Sequence, residues 1–243
     1  VRALLRRGIF DSATYGRIRF HHRRLTEYLA ARWLARLVAQ GLDQPTLEDL
    51  LFSIVDGAKV MRPSLAPVCA WLMLGDEPWR LELRALAIDV APELVFQDGD
   101  PAALPVADRR RALRQLAAHY GNRARFFVQL DPETMSRAAD PQLAATISEL
   151  IADPALCVDL RADLLRLVAH GALVDCVDTA IGLIADDGTP ERLLSYAAIA
   201  VRDAGSQAHK DSLVQVVRQM DVIPPDTCEC IYQALFPGRV DAE

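Results

Sequence analysis

The tetrapeptide Leu-Ile-Ala-Asp occurs twice, at residues 150–153 and 183–186, and more than those four positions keep the offset of 33 residues. Thr146, Thr179 and Ser212 share it, as do Leu150, Leu183 and Val216, and Val168, Val201 and Ala234. Each interval has room for two helices of about a dozen residues. A two-helix unit of this size cannot bury its apolar faces alone and does so by stacking on its neighbours, as in an α-solenoid. Residues 131–243 are therefore expected to form HEAT-like paired-helix repeats, an irregular helical bundle being the alternative.

The rest of the chain is read as helical too. Alanine and leucine are abundant, aromatic residues reach only 6%, and strands prefer aromatic and β-branched side chains. Residues 1–10, VRALLRRGIF, read as a helix end running into a strand; Ile9-Phe10 and Ile18-Phe20 flank the turn-rich DSATYG and predict a short hairpin. An amphipathic helix follows from about His22 to Gln40, with Leu25, Tyr28, Leu29, Trp33, Leu34, Leu37 and Val38 inward and Arg24, Arg32 and Arg36 outward. Helix, two short strands, helix suits the end of a winged-helix domain, or a bare hairpin packed on a bundle. The expected organisation is residues 1–40 as the winged-helix end, 41–130 as an irregular helical linker region, and 131–243 as repeats.

Within the middle region, TLEDLLFSIVDG reads as a helix with Thr46 as N-cap and Gly57 as stop. The proline in RPSLAPVCAWLML predicts a kink or a late helix start, and PELVFQDGDPAALP reads as a loop. VADRRRALRQLAAHYGN is a helix closed by Gly121-Asn122.

Charge is uneven. Residues 1–40 hold nine arginines against Asp11 and Glu27, a net of +7, which leaves −13 for the remainder of a chain whose total is −6. A uniformly basic nucleic-acid binder has a different balance, although the first segment alone could meet a phosphate. Cys69, Cys157, Cys176, Cys228 and Cys230 are odd in number and form no CxxC, so they read as free buried thiols of a reducing, cytoplasmic setting and not as a metal site. The longest apolar run, Leu65–Leu74, is too short to span a membrane, and no signal peptide is legible. Val1 lies in mid-helix by pattern, as in a piece of a longer protein.

Catalytic signatures are missing. A phosphate-binding loop needs glycine before lysine and a hydroxyl after it; the two lysines, Lys59 in GAKV and Lys210 in HKD, fit neither requirement. No GxG fingerprint, HExxH helix or GxSxG elbow occurs. Asp186-Asp187 lies at an expected helix end, where a solvated capping role suffices. The expectation is a chain that is not an enzyme and has no catalytic or metal-ligating residues.

Residues 17–34, RIRFHHRRLTEYLAARWL, carry one further pattern: Phe20, His22, Glu27, Tyr28, Ala30 and Ala31 at aromatic-x-His-x-x-x-x-Glu-aromatic-x-Ala-Ala spacing. The segment resembles part of the winged-helix region of NACHT and wider STAND NTPases, the signal-transducing ATPases of immune sensors and anti-phage defence. The resemblance covers residues 1–40, and more loosely the RPSLAPVCAWL to GDPAALP stretch as the start of a helical sensor. It implies that His22, not His21, contacts the β-phosphate of ADP and holds the closed form of a parent protein that uses ATP or ADP with Mg. An imidazole at a helix N-terminus has the positive end of the dipole beside it, which suits an anionic ligand. Glu27 reads as an ion-pair partner of Arg23 or Arg24, or an anchor for a buried arginine; Tyr28, Leu29, Ala30 and Ala31 read as core. No nucleotide-binding loop accompanies the motif, so the chain by itself is expected to bind no ATP or ADP and to need no cofactor.

The functional expectation is the non-catalytic C-terminal part of such a signalling NTPase: a helical-repeat sensor or scaffold reading a protein partner along its surface, in a parent able to oligomerise. Trp33, Trp71 and Trp79 are candidate interface anchors, with core packing the favoured role of each. Two rivals stand beside it. One is a nucleic-acid module in which Arg17, Arg19, Arg23 and Arg24 lie on phosphates; the other is a purely structural repeat scaffold.

Overall fold

The computed structural model describes residues 10–12, 18–20, 22–121, 132–220 and 222–236. The fold is all-α with small hairpins. By its contacts the chain divides into two compact units, Val1–Leu94 with Asp98–Asp100, and Val95–Gln97 with Pro101–Glu243.

In the first unit, β1 (Phe10–Ser12) and β2 (Ile18–Phe20) pair antiparallel, Phe10 opposite Phe20, as the sequence predicts. Helix α1 (Arg23–Ala39) follows, with His22 as its N-cap residue. The predicted leading helix lies outside the described residues. Helix α2 (Gln44–Leu51) is capped not by Thr46 but by Asp43, whose carboxylate accepts from the Thr46 N–H at 2.9 Å. It is also shorter than expected. Phe52–Val55 is strand β3, pairing antiparallel with β4 (Ala58–Met61), and Gly57 does not stop a helix but turns this second hairpin. Asp56 and Gly57 both have positive φ, 50° and 78°, as a two-residue hairpin turn requires. Gly57→Ala is expected to cost about 1 kcal/mol in urea unfolding because a Cβ is strained in that region, while Asp56→Gly costs nothing or stabilises.

The proline-containing stretch starts late: a 3-10 turn at Pro63–Leu65 precedes α3 (Ala66–Leu72), with Pro67 in its first turn where no N–H is needed. Helix α4 (Pro78–Val90) completes this unit. Helix α1 packs on α3, burying Ala31 and Leu34. The segment expected to be a loop contains one helical turn, α5 (Leu94–Gln97), whose Leu94, Val95 and Phe96 are buried; apolar side chains, not turn residues, decide its placement.

The second unit opens with α6 (Val106–Tyr120), closed at Gly121, while Asn122 of the predicted stop lies outside the described residues, and α7 (Pro132–Ala138) follows. Then the 33-residue spacing becomes structure. Helices α8 (Ala144–Ala152) and α9 (Val158–Gly171) are followed by α10 (Val177–Ala185) and α11 (Glu191–Ala204), each starting 33 residues after its counterpart. A third pair, α12 (Gln207–Val217) and α13 (Pro225–Leu235), keeps the order with looser spacing. Two rows result: α6, α8, α10 and α12 stack in one, α7, α9, α11 and α13 in the other.

The repeated aspartate explains part of the motif. Asp153 accepts from the Ala155 N–H at 2.9 Å and Asp186 from the Gly188 N–H at 3.1 Å, so each closes the turn between the helices of its pair. Equivalent core positions agree as well. Ile147, Ala180 and Leu213 are fully buried, as are Val168 and Val201, with Ala234 nearly so. Large Leu164, Leu165 and Leu167 in α9 correspond to small Ala197, Ala198 and Ala200 in α11, an alternation that lets neighbouring helices approach closely.

Arginines close several helix ends. The last carbonyls of a helix have no partner within it. Arg84 Nη1 donates to the Met73 carbonyl at 3.2 Å beyond α3, Arg109 Nη1 to Ala138 at 3.0 Å ending α7, and Arg161 Nε to Ile151 at 2.7 Å ending α8. All three arginines are buried.

Candidate functional site

The site indicated by the sequence lies where β2 gives way to α1. His22 has extended backbone, φ −103° and ψ 125°, and an exposed side chain that does not cap the helix. A ring so placed stands at the positive end of a 17-residue helix without being committed to its N–H groups. Arg23 and Arg24 beside it are exposed. Arg23 Nε donates to Glu27 Oε1 at 2.7 Å, one turn on, which is the ion pair expected of Glu27.

Asp98 was not legible as part of this cluster. It is half-buried, and burial first, then the Glu27 charge, pushes its carboxyl above the usual range, against the pull of Arg23 and Arg24. A raised folded-state value means that the charged form opposes folding: the penalty is absent below the unfolded-state pKa and fully present once pH exceeds the folded one. Asp98→Asn is therefore expected to raise the melting temperature at neutral pH, with the gain vanishing in acid where wild type is already protonated.

The rest of the motif divides between core and surface. Ala31 is buried and Ala30 half-buried. Tyr28 and Leu29 are exposed, correcting the reading of both as core, because the side of α1 packed on α3 is narrow and lies over Ala31 and Leu34. Tyr28 still meets the helical body with one edge: its ring is 5.2 Å from that of Trp71 at 74°. Of the three tryptophans read as core, Trp71 and Trp79 are half-buried, the latter under the Arg80 guanidinium at 4.4 Å, and Trp33 is 59% exposed.

The phosphate-binding rival keeps fewer residues in view. Arg17 is outside the described residues, Arg19 belongs to β2, and Arg23 is paired with Glu27. His21 is outside as well. His119 and His170 are exposed near helix ends, and His209 is taken up in a cap, its Nδ1 accepting from the Ser206 N–H at 3.0 Å. The cysteines are unpaired. Cys69 and Cys176 are buried, and burial pushes the Cys69 thiol up to about 12, which makes it inert. Cys228 is exposed, correcting its reading as buried; it lies on the outer face of α13. Among the described residues no group of three His, Cys, Asp or Glu side chains is placed to hold a metal, and no helix is long and apolar enough to cross a membrane.

Comparison with family models, with curated proteins and with solved structures returned no match for this chain.

Proposed function

We propose that this chain is the non-catalytic recognition part of a nucleotide-switched signalling ATPase of the NACHT/STAND type, acting in the cytoplasm, with anti-phage defence as its setting. The observation that carries the reading is His22: an exposed imidazole at the N-cap of a long helix, preceded by a hairpin strand and followed by Glu27 and Tyr28 at the motif spacing. In the proposed parent this ring contacts the β-phosphate of ADP, with the nucleotide and Mg held by a phosphate-binding loop elsewhere in the polypeptide. A neutral ring donates one hydrogen bond there and an imidazolium can donate two. Loss of the contact on exchange for ATP frees the hairpin and α1 from the nucleotide. Tyr28 against Trp71 is the link by which α1 would pass that movement into the helices behind it.

The stacked pairs supply the sensor. Each repeat can vary its outer face without disturbing the core it shares with its neighbours, which suits a surface that reads a protein partner. The coding sequence upstream of Val1 tests the proposal. A loop of the form GxxxxGK followed by Ser or Thr, in the same reading frame, is the expected result. An upstream frame without one contradicts it.

A further inference from the structure

The outward face of α1 has an unusual composition for a solvated surface. Tyr28, Leu29 and Trp33 are exposed by 37%, 39% and 59%. With Arg32 and Arg36 they occupy one arc of roughly 140°, counting 100° per residue. Beside this arc lies a cavity of about 230 Å³ lined by Tyr28, Ala31, Arg32, Trp71, Leu74 and Arg80. The Tyr28 and Trp71 rings meet edge to face and form an aromatic wall, and the Arg32 guanidinium stands over the Tyr28 ring at 5.9 Å. Arg80 is anchored on the lining by one hydrogen bond, its Nη1 donating to the Leu72 carbonyl at 2.8 Å, and it pairs with the Glu77 carboxylate.

Size and charge together define what fits. Small-molecule sites run to about 300–1,000 Å³, so this cavity takes one side chain better than a cofactor. Among the described residues no carboxylate pairs with Arg32 or Arg36. The rim is therefore positive, in a chain whose residues beyond 40 sum to −13. Tryptophan, tyrosine and arginine around a pocket are the residue types that dominate binding energy at protein interfaces.

We propose that this pocket and the adjoining face of α1 receive an acidic segment of a partner protein. One aromatic or large aliphatic side chain packs against the Tyr28–Trp71 wall beside Leu74, and flanking carboxylates meet Arg32 and Arg36. Leu29 and Trp33 extend the contact past the pocket, which a free small molecule would not use. The inference goes beyond the nucleotide switch and does not depend on it.

The test uses the whole chain and two probes, acetyl-Glu-Phe-Asp-Glu-Leu-amide and its lysine counterpart acetyl-Lys-Phe-Lys-Lys-Leu-amide, with the tryptophan indole N–H signals as readout. The acidic peptide is expected to shift the Trp33 and Trp71 signals saturably. Arg32→Gln, at an exposed position and checked by its melting temperature, weakens that binding about two- to fivefold, the worth of one rim charge. Four results overturn the proposal: no saturable shift, equal binding of the lysine peptide, undiminished binding by Arg32→Gln, or acetylphenylalanine alone binding as tightly and moving only Trp71. Shifts that grow with chain concentration without peptide overturn it too, because they assign the face to a second copy.

Discussion

Replacing Arg161 by methionine is expected to lower stability by about 3 kcal/mol in urea unfolding, more than any surface substitution in the chain. The residue is only 7% exposed and its Nε gives the Ile151 carbonyl, in the last turn of α8, a hydrogen bond at 2.7 Å. Burial lowers its pKa, while Asp153 and Asp186, the two turn-closing aspartates of adjacent repeats, pull it back up. Methionine fills similar space, so packing is largely kept. What is lost is the partner of an end-of-helix carbonyl and the countercharge of both turns. Arg161→Lys is expected to recover less than half, because an ammonium on a flexible stem does not reproduce the guanidinium fork. Arg166→Met is the control. Its pair with Asp163 at 3.0 Å spans three residues on one helix and is partly exposed, so its loss costs about 1 kcal/mol. An Arg161→Met chain as stable as the control would show that the clamp contributes nothing.

Leu165→Ala is the second large effect, about 3 kcal/mol within the usual 2–5 for a leucine cavity. Leu165 is fully buried in α9, the helix that packs on both α7 and α11. In a stack whose units contact only their neighbours, the loss is felt locally. Amide exchange should therefore accelerate most in α7, α9 and α11 and least in α13. Uniform acceleration from α6 to α13 would mean that the second unit opens as one body and not as stacked pairs.

The repeats were legible because a solenoid writes its period into both core and turns. Ile151 and Ile184 had to be apolar, and Asp153 and Asp186 had to close the same turn, so four letters recur at the structural spacing. The β3–β4 hairpin was not read, although Asp56-Gly57 between FSIV and AKVM was its signal. The helical period of Leu47 and Leu51 just before it masked a strand of four residues. On α1 the apolar spacing predicted one inward face, but periodicity counts apolar residues and not the neighbours available to cover them; α3 covers Ala31 and Leu34 and leaves Leu29 and Trp33 to solvent. Buried arginines carried a weaker signal. Arg161 shares the face of Leu164 and Leu165 three and four residues on, which marks a charged group pointing inward.

At the candidate site, His22 at a helix start was legible because local signals place it. Asp98 was not, since only the folded chain brings it beside Glu27, 71 positions away in sequence. The pocket by Tyr28 escaped for the same reason: Trp71 and Arg80 reach it from other helices.

Calorimetric titration of ADP into the proposed parent polypeptide, with His22 and with His22→Ala, tests the central claim most directly. The account predicts that the alanine variant binds ADP about tenfold or more weaker, the cost of one hydrogen bond to a charged group, while the melting of the helical repeats is unchanged. Equal ADP affinity of the two proteins would contradict it.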